Sequence, residues 1–196
     1  MAESQSGCSS VGMTEYVALL RGINVGGKNP IRMTELKACF EKQRLHDVAT
    51  FIQSGNVLFS SDEPARDRLT QRIERALSKA FGYDAAIVLR SQKQLKAVVE
   101  RAPPEFGAHP NDYRYDTMFL KEPMTASTAM KSVLLKDGVD RAWAGPGVLY
   151  FSRLVAKASQ SRLSRLASLP IYRSMTIRNW NTTTKLLAMM SAREAR

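Results

Sequence analysis

Apolar residues in this chain fall into short runs separated by stretches of helical spacing, and the order of the two repeats. Tyr16 to Asn24 opens with Tyr-Val-Ala-Leu-Leu, which reads as a buried strand. Val25 to Pro30 carries paired glycines and a proline, so it is a loop. Thr34 is placed to cap a helix whose Leu36, Cys39 and Phe40 share one face. Val48 to Gln53 and Val57 to Ser60 form a hairpin around the turn residues Ser54-Gly-Asn56. Asp62 to Phe81 is the clearest helix, with Leu69, Ile73, Leu77 and Ala80 recurring at spacings of three and four and Gly82 placed as its C-terminal cap. Ala85 to Leu89 is the fourth strand of this half.

A connecting helix is expected over Gln92 to Arg101, ended by Pro103-Pro104, with an irregular linker to Asp112. The order then recurs. Arg114 to Leu120 is a strand, Ser127 to Leu135 a helix, and Arg141 to Ala144 with Val148 to Leu154 a hairpin around Gly145-Pro-Gly147. Ser161 to Leu169 is a helix, Met175 to Trp180 a strand, and Thr182 to Met190 a closing helix. The fold class is therefore α+β: two tandem ferredoxin-like (β-α-β-β-α-β) halves with antiparallel sheets and an added C-terminal helix. The expected division is a disordered tail over residues 1–12, a first half over 13–102 and a second over 103–196, packed as one compact unit.

Charge changes this picture in one respect. Twenty-nine Lys and Arg face 18 Asp and Glu, a net of +11, and no acidic residue lies between Asp140 and Glu194. Such a stretch raises positive potential over part of the surface and draws polyanions, anionic ligands or acidic partners; a generally basic, well-solvated surface reads the same way. No apolar run approaches the roughly 18 residues that span a bilayer. The first twelve residues lack the basic start and apolar stretch of a secretory signal. Two cysteines, Cys8 in the tail and Cys39 on an apolar face, make no disulfide framework, so a cytoplasmic location is expected.

Three segments could carry chemistry. Arg21-Gly-Ile-Asn24 leads into Gly26 and Gly27, whose N–H groups can form an anion-sized nest, with Lys28 and Arg21 adding charge. The same residues also serve a tight β-to-α connection with no ligand. In Ser54-Gly-Asn56 the Asn56 amide can orient a ligand or simply stabilise a hairpin turn. In Arg178-Asn-Trp-Asn181, Asn181 or Thr182 can cap the last helix, Arg178 can strengthen an anion site there, and Trp180 either offers a stacking face or is buried. Arg162 and Arg165, three apart on an expected helix, could meet nucleic-acid phosphates without reading sequence, or lie on a solvated face. His46 and His109 are the only histidines, and no zinc spacing, Walker loop, dinucleotide fingerprint or nucleophile elbow occurs. No metal or cofactor is called for.

LLRGINVGGKN at 19–29, Met33 with Glu35-Leu36, IQSGNVLF at 52–59 and RNWNTTTKL at 178–186 resemble the bacterial domain-of-unknown-function family 1697. The resemblance runs from about Met13 to Met190, with Phe51 where the family more often has Tyr. It implies the tandem ferredoxin-like architecture and supplies no activity, cofactor or catalytic residue. It also implies that Arg21, Asn24, Lys28, Asn56, Arg178 and Asn181 belong to a site or to a fixed hydrogen-bond network. The reading that follows is a small anionic ligand held between the halves by Arg21, Lys28 and Arg178 and oriented by Asn24 and Asn56. The alternative is a non-sequence-specific nucleic-acid or polyanion binder using the basic C-terminal half.

Overall fold

The computed structural model describes residues 12–24 and 30–194. The expected tail, apart from Gly12, lies outside them. The first half runs β1 (Thr14–Leu20), α1 (Met33–Glu41), β2 (His46–Phe51), β3 (Asn56–Ser61), α2 (Arg66–Phe81), β4 (Ile87–Ser91) and α3 (Gln92–Glu100). The second runs β5 (Tyr113–Leu120), α4 (Ala126–Ser132), β6 (Asp140–Gly145), β7 (Val148–Leu154), α5 (Leu163–Leu166), β8 (Met175–Asn179) and α6 (Trp180–Glu194). The sheets have the orders β2-β3-β1-β4 and β6-β7-β5-β8, with every paired strand antiparallel. This is the ferredoxin-like arrangement twice over. Each half also ends in an extra helix, so α3 and α6 are counterparts rather than one linker and one appendage.

Three apolar clusters set the layers. Outer faces of the two sheets are closed by α1 and α2 over the first and by α4 and α5 over the second. The third cluster is shared. Val17, Leu19, Leu58 and Val88 from the first sheet and Phe119, Val148 and Tyr150 from the second gather around Leu95 and Val98 of α3 and Leu186 and Met190 of α6. Strand alternation explains the sorting: in β1, Ala18 and Leu20 face outward to the helices while Val17 and Leu19 face the other half. Burying such side chains is worth about 1.5–3 kcal/mol each, so the shared core holds the two halves against each other. Trp180 belongs to it, 5.1 Å from the ring of Phe106 and 6.4 Å from that of Tyr150. Its aromatic face is thus packed against other rings.

Several boundaries differ from the sequence reading. Residues 62–65 stay outside α2, which starts after Pro64; α1 is preceded by Arg32 rather than capped by Thr34. The helix expected over Ser161 to Leu169 is α-helical only over Leu163–Leu166. Its start is tied elsewhere, since the Arg162 N–H donates to Asp140 at 2.9 Å. Its end is drawn off by Ser168, whose hydroxyl donates back to the Arg165 carbonyl at 2.7 Å, and by Pro170, which disfavours the α conformation at Leu169. Helix α6 begins two residues earlier than expected. Its cap is Asn179, whose side chain accepts the Asn181 N–H at 2.9 Å and donates to the Tyr115 carbonyl at 3.2 Å.

Candidate functional site

The halves are held at a joint built twice. In the fourth strand of each half an arginine projects from the inner face toward the other half. Arg90 lies opposite Val17 in register, and Arg178 lies opposite Thr117. Arg178 Nη2 donates to the carbonyls of Leu20, Ser54 and Gly55 at 2.8, 3.0 and 3.1 Å. Arg90 Nη2 donates to the carbonyls of Leu120 and Gly147 at 2.7 and 2.9 Å. Each Nη1 returns to the carbonyl one residue back, Ile177 at 2.8 Å and Leu89 at 2.9 Å. Each arginine therefore clasps the end of the other half's first strand and the turn of the other half's hairpin. That turn needs a glycine in the same place: Gly55 at φ 73° and Gly147 at φ 70°, where a Cβ on Gly147 would stand 2.9 Å from Arg90 Nη2.

The two copies differ in polarity. Asn56 occupies the place that Val148 has in the other half, and Thr176 the place of Val88. Arg178 uses both: Nε donates to Asn56 Oδ1 at 2.5 Å and Nη1 to Thr176 Oγ1 at 2.8 Å. Asn56 is fully buried and its Nδ2 donates to the Phe51 carbonyl and Ser54 Oγ at 3.0 and 3.1 Å. Among the described residues no carboxylate bonds either arginine. Burial pushes both guanidinium groups down to about 10, Arg66 lowering Arg90 further; both stay charged at neutral pH.

The end of β1, the Ser54-Gly-Asn56 turn and Arg178 thus converge at one place. The polar groups there answer one another: all five Arg178 N–H groups have protein acceptors. Asn24, in a left-handed conformation at φ 52°, closes its own loop by bonding the Ile31 N–H and carbonyl at 2.8 and 3.0 Å and the Gln53 carbonyl at 2.9 Å. The Arg21 N–H donates to the Ala86 carbonyl at 2.9 Å, while its buried Nε has no hydrogen-bond partner among the described residues. Gly26, Gly27 and Lys28 lie outside the described residues. Asn181 is exposed in the first turn of α6 and takes no part in the joint. Arg165 is exposed within the single turn of α5, and Arg162, half-buried, precedes it.

The cleft beside the Arg90 copy was not foreseen. One lobe, of ≈ 480 Å³, is lined by α2, β4 and the turn after β5, with Arg66, Arg90 and Lys121 as its cations. A second lobe, of ≈ 460 Å³, runs on past Ser91 and Gln94, and the lobes share Arg66, Asp67 and Glu122. Two ion pairs cross the cleft: Arg66 to Glu122 at 2.5 Å, and Lys121 to Glu74. Helix α2 starts at this waist with no side-chain cap on its N–H groups, so its positive end faces the cleft. Asp67 sits in the same turn and answers part of that potential. A signal for the joint does exist in the sequence. Ile87-Val-Leu-Arg90 and Met175-Thr-Ile-Arg178 place a charge at the same step of two otherwise buried strands. Arg66 and Glu122, by contrast, look like any surface pair until the fold brings them together.

Among the described residues no group of three or more His, Cys, Asp or Glu is gathered as a metal site requires, and no helix is long and apolar enough to cross a membrane. A solved structure, described as that of a conserved bacterial protein from Streptococcus pneumoniae, is similar with a TM-score of 0.79 and 28% identity, covering 91% of this chain and 99% of that one. Nothing among the curated proteins matches. The family described as "Protein of unknown function (DUF1697)" matches residues 13–150, a span that holds the LLRGIN and IQSGNV segments and stops short of RNWNTTTKL. The matched span, which includes the β1 end and hairpin turn clasped by Arg178, covers most of the chain, and the protein belongs to this family.

Proposed function

We propose that the protein binds a small phosphate- or carboxylate-bearing molecule in the cleft between its two halves, in a cytoplasmic setting suited to the free buried thiol of Cys39. The observation that carries this reading is the cleft itself: both halves line it, and Arg66, Arg90 and Lys121 stand in its walls beside the uncapped start of α2. A volume of ≈ 480 Å³ suits a small ligand. Of the three, Arg90 is the cation with no carboxylate bonded to it among the described residues, so its charge is available to an entering anion. In this reading Asn24, Asn56 and Arg178 act one step away, by fixing the halves against each other so that the cleft walls keep their spacing.

The test is an amide NMR titration of the full chain with inorganic phosphate. Signals of Arg66, Asp67 and Arg68 are expected to move at millimolar phosphate, and Arg66→Gln is expected to abolish the movement. Phosphate that moves no signal in the first turn of α2, or moves it equally in Arg66→Gln, overturns the proposal.

A further inference from the structure

We infer that Glu122 is a built-in occupant of the cleft's anion position, and that a phosphate monoester binds by taking its place on Arg66. This rests on the cleft reading above and adds how the site is kept closed and which anion opens it.

The two ion pairs that cross the cleft are not alike. Glu74 is 17% exposed, and its Oε1 receives the Ile87 N–H at 2.8 Å as well as Lys121, so it is fixed in the fold. Glu122 is 59% exposed, and both its oxygens lie 2.5 Å from the one Arg66 nitrogen. Its carboxylate has no other hydrogen bond among the described residues. An exposed pair of this kind adds little net stability, and Glu122 can swing into water at small cost. Arg66, 27% exposed, keeps its place at the start of α2. The carboxylate of Glu122 therefore marks where an anion sits, and it is the replaceable member.

The neighbourhood favours a dianion. Arg90 is close enough to Arg66 and Glu122 to feel both charges. Once Glu122 has left, two guanidinium groups face the same space, with Arg90 held in place by the Leu89, Leu120 and Gly147 carbonyls. A carboxylate ligand replaces Glu122 like for like and gains little. A phosphate monoester brings a second charge and a third oxygen, which Arg90 and the free N–H groups of α2 can answer. Displacement also breaks a link between the halves, so occupancy of the cleft and the Arg66–Glu122 link exclude each other.

The experiment is phosphate titration of the full chain by calorimetry, with Glu122→Gln and Arg66→Gln beside the natural protein. Removing the internal competitor is expected to tighten phosphate binding about three- to tenfold, the sum of a weak exposed pair and relief of like-charge repulsion. Glu122→Ser removes the same carboxylate and carries the same expectation if Glu122→Gln is poorly folded. Arg66-dependent binding that is unchanged or weaker in both Glu122 variants overturns the displacement and leaves the cleft reading standing. Absence of Arg66-dependent binding in every protein overturns both.

Discussion

Replacing Arg178 with lysine tests the account of the joint most directly. The charge is kept, but five donors in a planar fork become three on a flexible stem. Arg178 meets six acceptors: the carbonyls of Leu20, Ser54, Gly55 and Ile177, Asn56 Oδ1 and Thr176 Oγ1. Gly55 keeps a bond to the Leu20 N–H at 2.8 Å whatever happens to the arginine. Asn56 Oδ1 has no such reserve and is fully buried. Leaving one or two buried acceptors unsatisfied, at ~1–3 kcal/mol each, sets the expected loss at about 2–4 kcal/mol. Arg90→Lys should cost about half as much, because Arg90 bonds only three carbonyls and one of them, Gly147, retains the Leu120 N–H at 3.0 Å. Urea unfolding reads both, with a midpoint for Arg178→Lys about 1–2 M lower. Both tryptophans, Trp143 and Trp180, pack against the shared core, so fluorescence reports that core while circular dichroism reports the whole chain. The two curves should stay superimposed in the natural protein. A loss under about 1 kcal/mol, too small for even one orphaned buried acceptor, or a larger loss from Arg90→Lys, refutes the reasoning.

Two further variants probe other parts of the fold. Burial pushes the Asp116 carboxyl above its ordinary value of 3.8, with Arg153 and Arg114 opposing. A carboxyl whose folded value is raised costs stability when ionised, and stability recovers as pH falls through the folded value toward the unfolded one. Asp116→Asn should therefore melt higher than the natural protein at pH 7, with the gap closing on acidification; a gap that widens toward acid would show the Arg153 contact to dominate. In Gly107→Ala the new Cβ would stand 2.5 Å from Cδ1 and Nε1 of Trp180, at a backbone φ of 96°. A loss of about 2–3 kcal/mol in urea is expected, together with altered tryptophan emission, and an unshifted midpoint would contradict the packing described.

The order of elements was readable because each half buries both faces of its first and third strands, leaving unbroken apolar runs such as Val57-Leu-Phe59. Helix α2 was readable because only one of its faces is buried, at Leu69, Ile73 and Leu77. The late start of the second half's broken helical segment was not, since Asp140, 22 positions away, takes the Arg162 N–H. At the joint, the sequence singled out the Ser54-Gly-Asn56 and Arg178 segments and left open what their polar residues do. Arg178 and Asn56 read equally as ligand groups or as a network, and only the distances between them decide what they bond. Arg66 and Glu122 are 56 positions apart, in a helix and a turn that nothing local connects.

A joint present in two copies can be put to two uses. Were the halves separate, identical molecules, any change at the clasp would appear on both sides of the dimer at once, and the two clasps would stay alike. Carried on one chain, the copies can part ways. One has Asn56 and Thr176 and closes around its arginine. The other has Val148 and Val88, and its arginine lies beside a cleft. Asymmetry of this kind is open to a fused pair and closed to a true dimer of identical subunits.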